Sequence, residues 1–101
     1  TRRSSDLFGY VIAQIKVSDP EKYAGYIEMV LPTIEHFGGA FIVRGGRSIS
    51  YEGTPPGDRN VVIRFPSFEA AEAWYHSKEY AKAKSVRMSA SSSVQTIVEG
   101  L

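Results

Sequence analysis

The amino-acid sequence predicts a small α+β domain with the element order β-α-β-β-α-β. Residues 9 to 17 alternate between an apolar and a mixed face, as a half-buried strand does. Residues 20 to 37 repeat apolar side chains at helical spacing along one stripe. Residues 60 to 65, NVVIRF, form another apolar run that stops at Pro66 and precedes a second helical pattern. Two β-α-β units with right-handed crossovers then give a four-stranded antiparallel sheet with the helices on one face, the ferredoxin-like arrangement.

The first helix carries signals at both of its ends. Asp19 can accept a hydrogen bond from the first turn, and Pro20 suits the first helical position. Pro32 lies inside the pattern, where its missing N–H predicts a kink. Gly38 or Gly39 can end the helix in a left-handed conformation.

The second half of the chain supplies the remaining elements. Residues 40 to 52 are predicted to form the second strand, and TPPGD at residues 54 to 58 a loop. Ser67 can cap a second helix with the sequence FEAAEAWYH, and Ser77 can cap a further short helix, KEYAKAKSVRM. The closing strand, VQTIVE, is predicted at residues 94 to 99.

The second strand, AFIVRGGRSISYEG, contains two glycines between two arginines. A regular strand would turn Arg44 towards the helices, where an unpaired guanidinium is costly. One extra residue at Gly45-Gly46, a β-bulge, would instead turn Phe41 and Val43 towards the helices and Arg44 towards the opposite face. We therefore predict a bulge at the glycine pair. An anion-binding loop is the weaker alternative, because such a loop should open a helix and this one continues as strand.

The helices of one chain can cover only one face of the predicted sheet. The other face is predicted to carry Tyr10, Ile12, Ile42, Ile49, Tyr51, Val62 and Ile97, together with the basic side chains of Arg44, Arg47 and Arg64. An exposed apolar patch of this size usually marks an interface. Its simplest cover is the same face of a second copy, so the sequence predicts a homodimer.

Composition and charge exclude several classes of function. Twelve basic and eleven acidic residues give a net charge of +1, which removes the strong electrostatic case for a nucleic-acid or membrane partner. The chain has no cysteine, which excludes disulfides, thiolate metal ligands and a cysteine nucleophile. No apolar run reaches the roughly 18 residues that a membrane span needs. We expect a cytoplasmic protein without a metal or cofactor, with a flexible tail at residues 1 to 7 and one domain at residues 8 to 101.

The chain also resembles a known bacterial family. The resemblance is carried by the motifs GG-x-F-x-V-RGG and FPS-x-E-A-A-x-A-W-Y-x-S-x-E-Y, and it extends over residues 9 to 100. The family is the one named domain of unknown function 1330. The resemblance implies the dimeric α+β barrel superfamily, in which two ferredoxin-like sheets face each other and the helices lie outside. It implies no established reaction and transfers no catalytic residue. Superfamily relatives include cofactor-light monooxygenases, haem-degrading enzymes and small isomerases, an analogy of fold that does not fix function.

Candidate ligand-binding residues follow from the pocket expected between the sheet and the helices. They are Tyr10, Tyr26, Arg44, Trp74 and Tyr75. Trp74 and Tyr75 are adjacent, so one should pack in the core while the other lines a cleft. Arg44 can either form an ion pair at the interface or anchor the carboxylate of a ligand.

The two histidines are weaker candidates for chemistry. His36 lies near the end of the first helix and His76 at the junction of two helices, and neither has an evident orienting partner or the spacing of a metal site. Two functions therefore stay open. One is an enzyme of the monooxygenase or isomerase type that uses no cofactor and acts on a small acidic or aromatic metabolite. The other is a non-catalytic dimeric module that binds or senses such a molecule.

Overall fold

The structure, a computed structural model, describes residues 7–101, so the predicted tail at residues 1 to 7 lies almost wholly outside the described residues. The elements in chain order are β1 (Gly9–Val17), α1 (Pro20–His36), β2 (Ala40–Arg44), β3 (Arg59–Phe65), α2 (Phe68–Tyr75), α3 (Lys78–Ala90) and β4 (Ser91–Glu99). The four strands form one antiparallel sheet in the order β2-β3-β1-β4. The predicted ferredoxin-like α+β fold is confirmed.

The hydrophobic core lies between one face of the sheet and the helices. Strands β1 and β3 bury alternate side chains, as a sheet with one covered face must. The buried core comprises Val11, Ala13 and Ile15 of β1, Val61, Ile63 and Phe65 of β3, Tyr23, Tyr26, Val30 and Ile34 of α1, Ala71 and Trp74 of α2, and Tyr80, Ala83 and Ala90 of α3. Arg87 of α3 is buried with them.

Each helix begins at its predicted cap. The side chains of Asp19, Ser67 and Ser77 each accept a hydrogen bond from the backbone N–H three residues later, at 3.0 to 3.2 Å. Helix α1 continues through Pro32 as far as His36. Gly38 then reverses the chain with a φ of 78°, the left-handed conformation that glycine adopts without strain.

Strand β2 is shorter than the sequence predicts, and its bulge lies elsewhere. The strand ends at Arg44 instead of residue 52, and the register shifts between Phe41 and Val43 instead of at the glycine pair. The predicted position of the bulge was therefore wrong. Phe41 faces the helices as expected, but Val43 lies on the uncovered face, opposite Val62.

Arg44 consequently lies on the helix-covered side of the sheet, and not on the predicted face. It pairs with Val61, which is buried under the helices. The cost of burying a guanidinium does not arise, because β2 is an edge strand and Arg44 is exposed, with its guanidinium carbon 4.7 Å from the centre of the Phe41 ring. The structure favours glycine at position 45 for a different reason. Its φ is 69°, and a Cβ there would overlap the guanidinium of Arg59.

No described residue covers the second face of the sheet, and the face is mixed, with Gln14, Asn60 and Thr96 beside an apolar group. The strand registers place Tyr10, Ile12, Val43, Val62, Val94 and Val98 on it, and we call this set the open face. Arg64 lies there too, opposite Tyr10. Other predicted members do not. Ile97 pairs with Val11 and faces the helices, and Ile42 is the residue of β2 without a register partner at the bulge. Arg47, Ile49 and Tyr51 lie beyond the end of β2, and the last two are 76% and 88% exposed.

Candidate functional site

The helix-covered side of the sheet contains a cleft between α3 and β4. Its volume is about 370 Å³, and it is lined by Tyr75, Arg87, Met88, Ser91, Ser92, Ser93 and Gln95. We call it the α3–β4 cleft. A second cavity of about 190 Å³ shares Tyr75 and Gln95 with it and extends along β4 to Ile97. Gln95 also lines a narrow internal cavity of about 20 Å³, room for about one water molecule.

The cleft forms because β4 starts directly after α3 with three small residues. Ser91, Ser92 and Ser93 continue the sheet opposite the end of β1. Ser91 and Ser93 face the helices there, and larger side chains at these two positions would fill the space beneath α3. Ser91 fastens the junction, since its hydroxyl donates to the carbonyl of Arg87 at 2.7 Å. The floor and the helical wall of the cleft are therefore held by the same short connection.

A chain of polar side chains leads from the core to the cleft. Arg87 Nε donates to Tyr80 Oη at 3.1 Å, and Tyr80 Oη lies 3.2 Å from Tyr26 Oη. Arg87 Nη1 donates to Ser93 Oγ at 2.9 Å, and Gln95 Nε2 donates to the same oxygen at 3.3 Å. We call these five residues the Tyr–Arg chain. It joins α1, α3 and β4 through side chains alone.

Arg87 is the charged member of this chain and is almost fully enclosed. Only 4% of its surface is exposed, yet among the described residues no carboxylate forms an ion pair with it. Its Nη2 has no hydrogen-bond partner among them and is not sealed from solvent. Burial is the largest single influence and would lower the pKa of Arg87, but the interactions with Tyr80, Tyr26 and Tyr75 together raise the pKa above its ordinary value.

Tyr26 is held as a neutral phenol. Burial raises the pKa of Tyr26 far above its ordinary value, and the adjacent Tyr80 hydroxyl adds to the shift. Tyr80 Oη accepts from Arg87, and either hydroxyl of the tyrosine pair can donate to the other. In both arrangements one phenolic hydrogen has no acceptor among the described residues. The Tyr–Arg chain therefore has an excess of donors.

The family whose description is "Domain of unknown function (DUF1330)" matches residues 8–101. This chain belongs to the DUF1330 family. A comparison with curated proteins found no match.

Solved structures share the fold of this DUF1330 chain. A protein of unknown function from Rhodopseudomonas palustris is 18% identical with a TM-score of 0.79, over 95% of this chain and 84% of that one. SnoaB, a cofactor-independent oxygenase from Streptomyces nogalater, is 13% identical with a TM-score of 0.53, over 92% and 91%. A conserved protein from Methanosarcina mazei Go1 is 12% identical with a TM-score of 0.55, over 97% of both chains. At these identities the likeness shows the fold alone.

The adjacent aromatic residues of the DUF1330 motif divide their roles as predicted. Trp74 is 1% exposed and packs in the core, stacked on Tyr80 with ring centres 4.1 Å apart. Its indole N–H donates to Thr33 Oγ1 at 3.0 Å. Tyr75 is half-buried and lines both the α3–β4 cleft and the adjoining cavity of about 190 Å³, with Lys84 Nζ 4.3 Å from its ring centre.

The other predicted ligand-binding residues are dispersed. Tyr26 belongs to the Tyr–Arg chain and lines the narrow internal cavity. Arg44 lies at the far end of that cavity, away from the α3–β4 cleft. Tyr10 lies on the open face, so the sheet itself separates it from Tyr26, Trp74 and Tyr75.

Sequence reasoning missed most of the Tyr–Arg chain, although a signal for Arg87 was present. Tyr80, Ala83, Arg87 and Ala90 recur at helical spacing on α3, and all four are buried. A charged residue on a stripe of otherwise apolar residues is the signal that marks Arg87 as inward-facing. Ser93 and Gln95 carried no comparable signal, because their inward orientation depends on the register of β4 against β1.

The histidines lie outside these cavities. His36 and His76 are both exposed, with their rings against Phe37 and Tyr75 respectively. Within residues 7–101 no group of three or more potential ligands from histidine, cysteine, aspartate and glutamate is placed to hold a metal ion. In the same part of the chain, no helix combines the length and the apolarity needed to cross a membrane.

Proposed function

We propose that this protein is a homodimer that binds a small organic molecule in the α3–β4 cleft. The observation that carries the proposal is the pair of cavities that meet at Tyr75 and Gln95, of about 370 and 190 Å³. Small-molecule sites have volumes of roughly 300 to 1,000 Å³ and combine aromatic walls with a few convergent polar groups. The cleft has this combination, with Tyr75 on one wall and the Tyr–Arg chain on another.

The open face supports the dimeric part of the proposal. Ile12, Val43, Val94 and Val98 are 40% to 57% exposed there, and the described chain measures only 17 Å in its shortest dimension. Two sheets pack face to face about 10 Å apart when both inner faces are apolar. A second copy of this chain presents such a face, so a two-fold pairing of open faces is self-complementary.

We expect Ile12→Glu to convert the dimer to a monomer. Ile12 lies in the middle of β1, a central strand, and a dimer would bury a carboxylate at this position against its symmetry mate. Sedimentation velocity at micromolar concentration should show wild-type protein at twice the 11.2 kDa mass of the chain and the variant at that mass. Ala24→Glu, on the exposed side of α1, adds the same charge and should remain dimeric. A wild-type monomer, or a variant as dimeric as wild type, would contradict the proposal.

Two activities are compatible with a ligand in this cleft. The first is catalysis without a cofactor, of the monooxygenase or isomerase type, on an acidic or aromatic metabolite. A substrate that supplies its own electrons as a carbanion needs the protein mainly to exclude water, to orient it and to stabilise the enolate oxygen with preorganised donors. The second is binding or sensing without turnover. The fold shared with SnoaB is compatible with the first but does not decide between them.

Tyr75→Phe should separate the two activities. The substitution removes one hydroxyl from the wall shared by both cavities and keeps the ring. Candidate ligands would first be found by mass spectrometry of small molecules that co-purify with native protein, then phenols, quinols and lactones would be screened for consumption. If the Tyr75 hydroxyl transfers a proton, turnover should fall by about 10²-fold or more while binding changes little.

The control for this variant is Tyr51→Phe, which removes the same hydroxyl from a side chain that is 88% exposed beyond β2. It should leave both binding and turnover unchanged. Saturable binding without any product supports the sensing function. Failure of every candidate and every co-purified molecule to bind would refute the proposed ligand site.

A further inference from the structure

We propose that the ligand of the α3–β4 cleft is a carboxylate, and that Arg87 is the residue that receives it. The proposal rests on the cleft being the ligand site described above. It replaces Arg44, the anchor expected from the sequence, by a residue on a different element. It also narrows the ligand class from small organic molecules to those with an accessible carboxylate.

Arg87 carries a buried charge without a counter-ion. A guanidinium enclosed to 4% exposure loses most of its hydration, and hydrogen bonds to uncharged oxygens replace that hydration without neutralising the charge. Among residues 7–101 no aspartate or glutamate forms an ion pair with Arg87, and the cleft is lined by tyrosine, methionine, serine and glutamine around it. The tyrosine and serine oxygens satisfy hydrogen bonds but bring no full negative charge. A bound carboxylate would supply the missing counter-ion.

Arg87 and Ser93 retain hydrogen-bond donors that no described residue accepts. A guanidinium has five N–H groups, and the hydrogen bonds to Tyr80 and Ser93 use two of them, so three remain, including both on Nη2. Ser93 Oγ already accepts from Arg87 and Gln95, and its own hydrogen has no acceptor among the described residues. Arg87 and Ser93 therefore direct free donors towards the same cleft. Arginine pairs with carboxylates in a bidentate manner, and such charge-assisted bonds are about twice as strong as neutral ones.

The cleft also has an apolar part. Tyr75 and Met88 line it together with the polar residues. Met88 is 64% exposed and therefore lies at the rim. A ligand that inserts its carboxylate towards Arg87 would place a short apolar or aromatic body against these two side chains. Lys84, above the Tyr75 ring, adds a second positive charge nearby.

Arg44 provides the contrast that makes the choice specific. It is exposed, stacks on Phe41 and lies on an edge strand, so its charge is already solvated. It gains little from a ligand carboxylate. Arg87, in contrast, is buried and lies on a helix. The carboxylate is therefore assigned to Arg87, which is largely shielded from water.

The test is a titration of ¹⁵N-labelled full-length protein followed by backbone amide signals, in a chloride buffer at constant ionic strength. The probes are acetate, benzoate and phenylacetate, each compared with its neutral amide. We expect at least one carboxylate to shift the signals of Ser91 to Gln95 saturably, with an affinity at least tenfold above that of its amide. Removal of the ligand's charge should cost 10- to 100-fold, the range for hydrogen bonds to charged groups.

Arg87→Gln should abolish this preference by lowering the carboxylate affinity by about 10- to 100-fold while leaving the affinity for the amide nearly unchanged. Lys82→Gln is the matched control, because it removes the same charge from an exposed position of α3 and should change neither affinity. Ser93→Ala removes one cleft donor and keeps the buried charge. It should weaken carboxylate binding by about 3- to 10-fold, and it tests the proposal even if Arg87→Gln does not fold.

The outcomes separate this proposal from the proposed ligand site. If carboxylates and amides shift the same signals with equal affinity, the cleft binds ligands but the carboxylate assignment is wrong. Carboxylate binding that survives Arg87→Gln also overturns it. If no carboxylate shifts these signals at tens of millimolar, the assignment fails, and the ligand site itself is then judged by the co-purified molecules alone.

Discussion

Replacing Trp74 by alanine should lower the free energy of unfolding by about 3–5 kcal/mol, the cost of removing a large buried aromatic side chain. Trp74 is 1% exposed and stacks on Tyr80, with the Phe65 ring centre 5.3 Å away on another side. The rings of Phe65 on β3 and Tyr80 on α3 both pack against Trp74. Neighbouring side chains can therefore fill only part of the space that the indole leaves. The lost hydrogen bond to Thr33 adds to the cost.

Urea denaturation with fluorescence of the tyrosines or circular dichroism measures this effect. In a domain of about 100 residues, each kcal/mol lowers the melting temperature by about 4–8 °C, so a fall of more than about 12 °C is expected. Trp74→Phe keeps an aromatic ring and should lose only about 1–2 kcal/mol. Tyr51→Ala, at an 88% exposed side chain, should change stability by less than about 0.5 kcal/mol. A Trp74→Ala protein within 1 kcal/mol of wild type would show that the stack does not hold the core together.

Gly9→Ala should lower the free energy of unfolding by about 1–3 kcal/mol, the usual cost of overpacking. Gly9 is a buried residue of β1, and a Cβ there would overlap the carbonyl oxygen of Ser67 and lie 2.7 Å from the backbone nitrogen of Phe68. Both contacts are backbone atoms at the start of α2. The helix can move away only if its cap at Ser67 and the packing of Trp74 are disturbed.

Gly25→Ala is the matched control for this substitution. Gly25 lies inside α1, and a Cβ there would meet no atom within 4 Å. Alanine should therefore stabilise the protein by about 0.5–1 kcal/mol, because it restricts the unfolded chain and favours the helix. The two variants make the same chemical change and should shift the urea midpoint in opposite directions. Equal midpoints for Gly9→Ala and wild type would mean that β1 and α2 are not packed as closely as described.

Signals within a few residues of each other determine much of the fold, without reference to packing. Asp19, Ser67 and Ser77 begin the helices because a capping oxygen acts within three residues of its own position. Strand β1 begins and ends where its alternating pattern does. The division of roles between Trp74 and Tyr75 also follows from helical geometry alone, since adjacent residues cannot face the same way.

The ends of the outer strands needed the partner strands. Residues 46 to 52 have a strand-like pattern, but the chain leaves the extended conformation at Gly45, whose φ is 69°, so β2 ends at Arg44. Continued pairing in the same register would also bring Pro55 and Pro56, which have no N–H to donate, opposite Ser50 and Ile49. Strand β4, in contrast, is longer than the sequence predicts. Its first residues are serines with little strand propensity, and pairing with the last residues of β1 extends the sheet back to Ser91.

The chain by itself thus determined its helices, its central strand and the existence of a second, uncovered apolar face, because these depend on residues close in sequence. Only the tertiary structure decided that Arg87 is enclosed, that Arg44 is not, and that Ser93 and Gln95 face the same cleft. Each of these depends on how a strand is registered against its neighbour or on whether a strand lies at an edge. The helical spacing of α3 turns Arg87 inward, but the enclosure of its guanidinium also depends on Ser93, whose orientation is set by the register of β4 against β1.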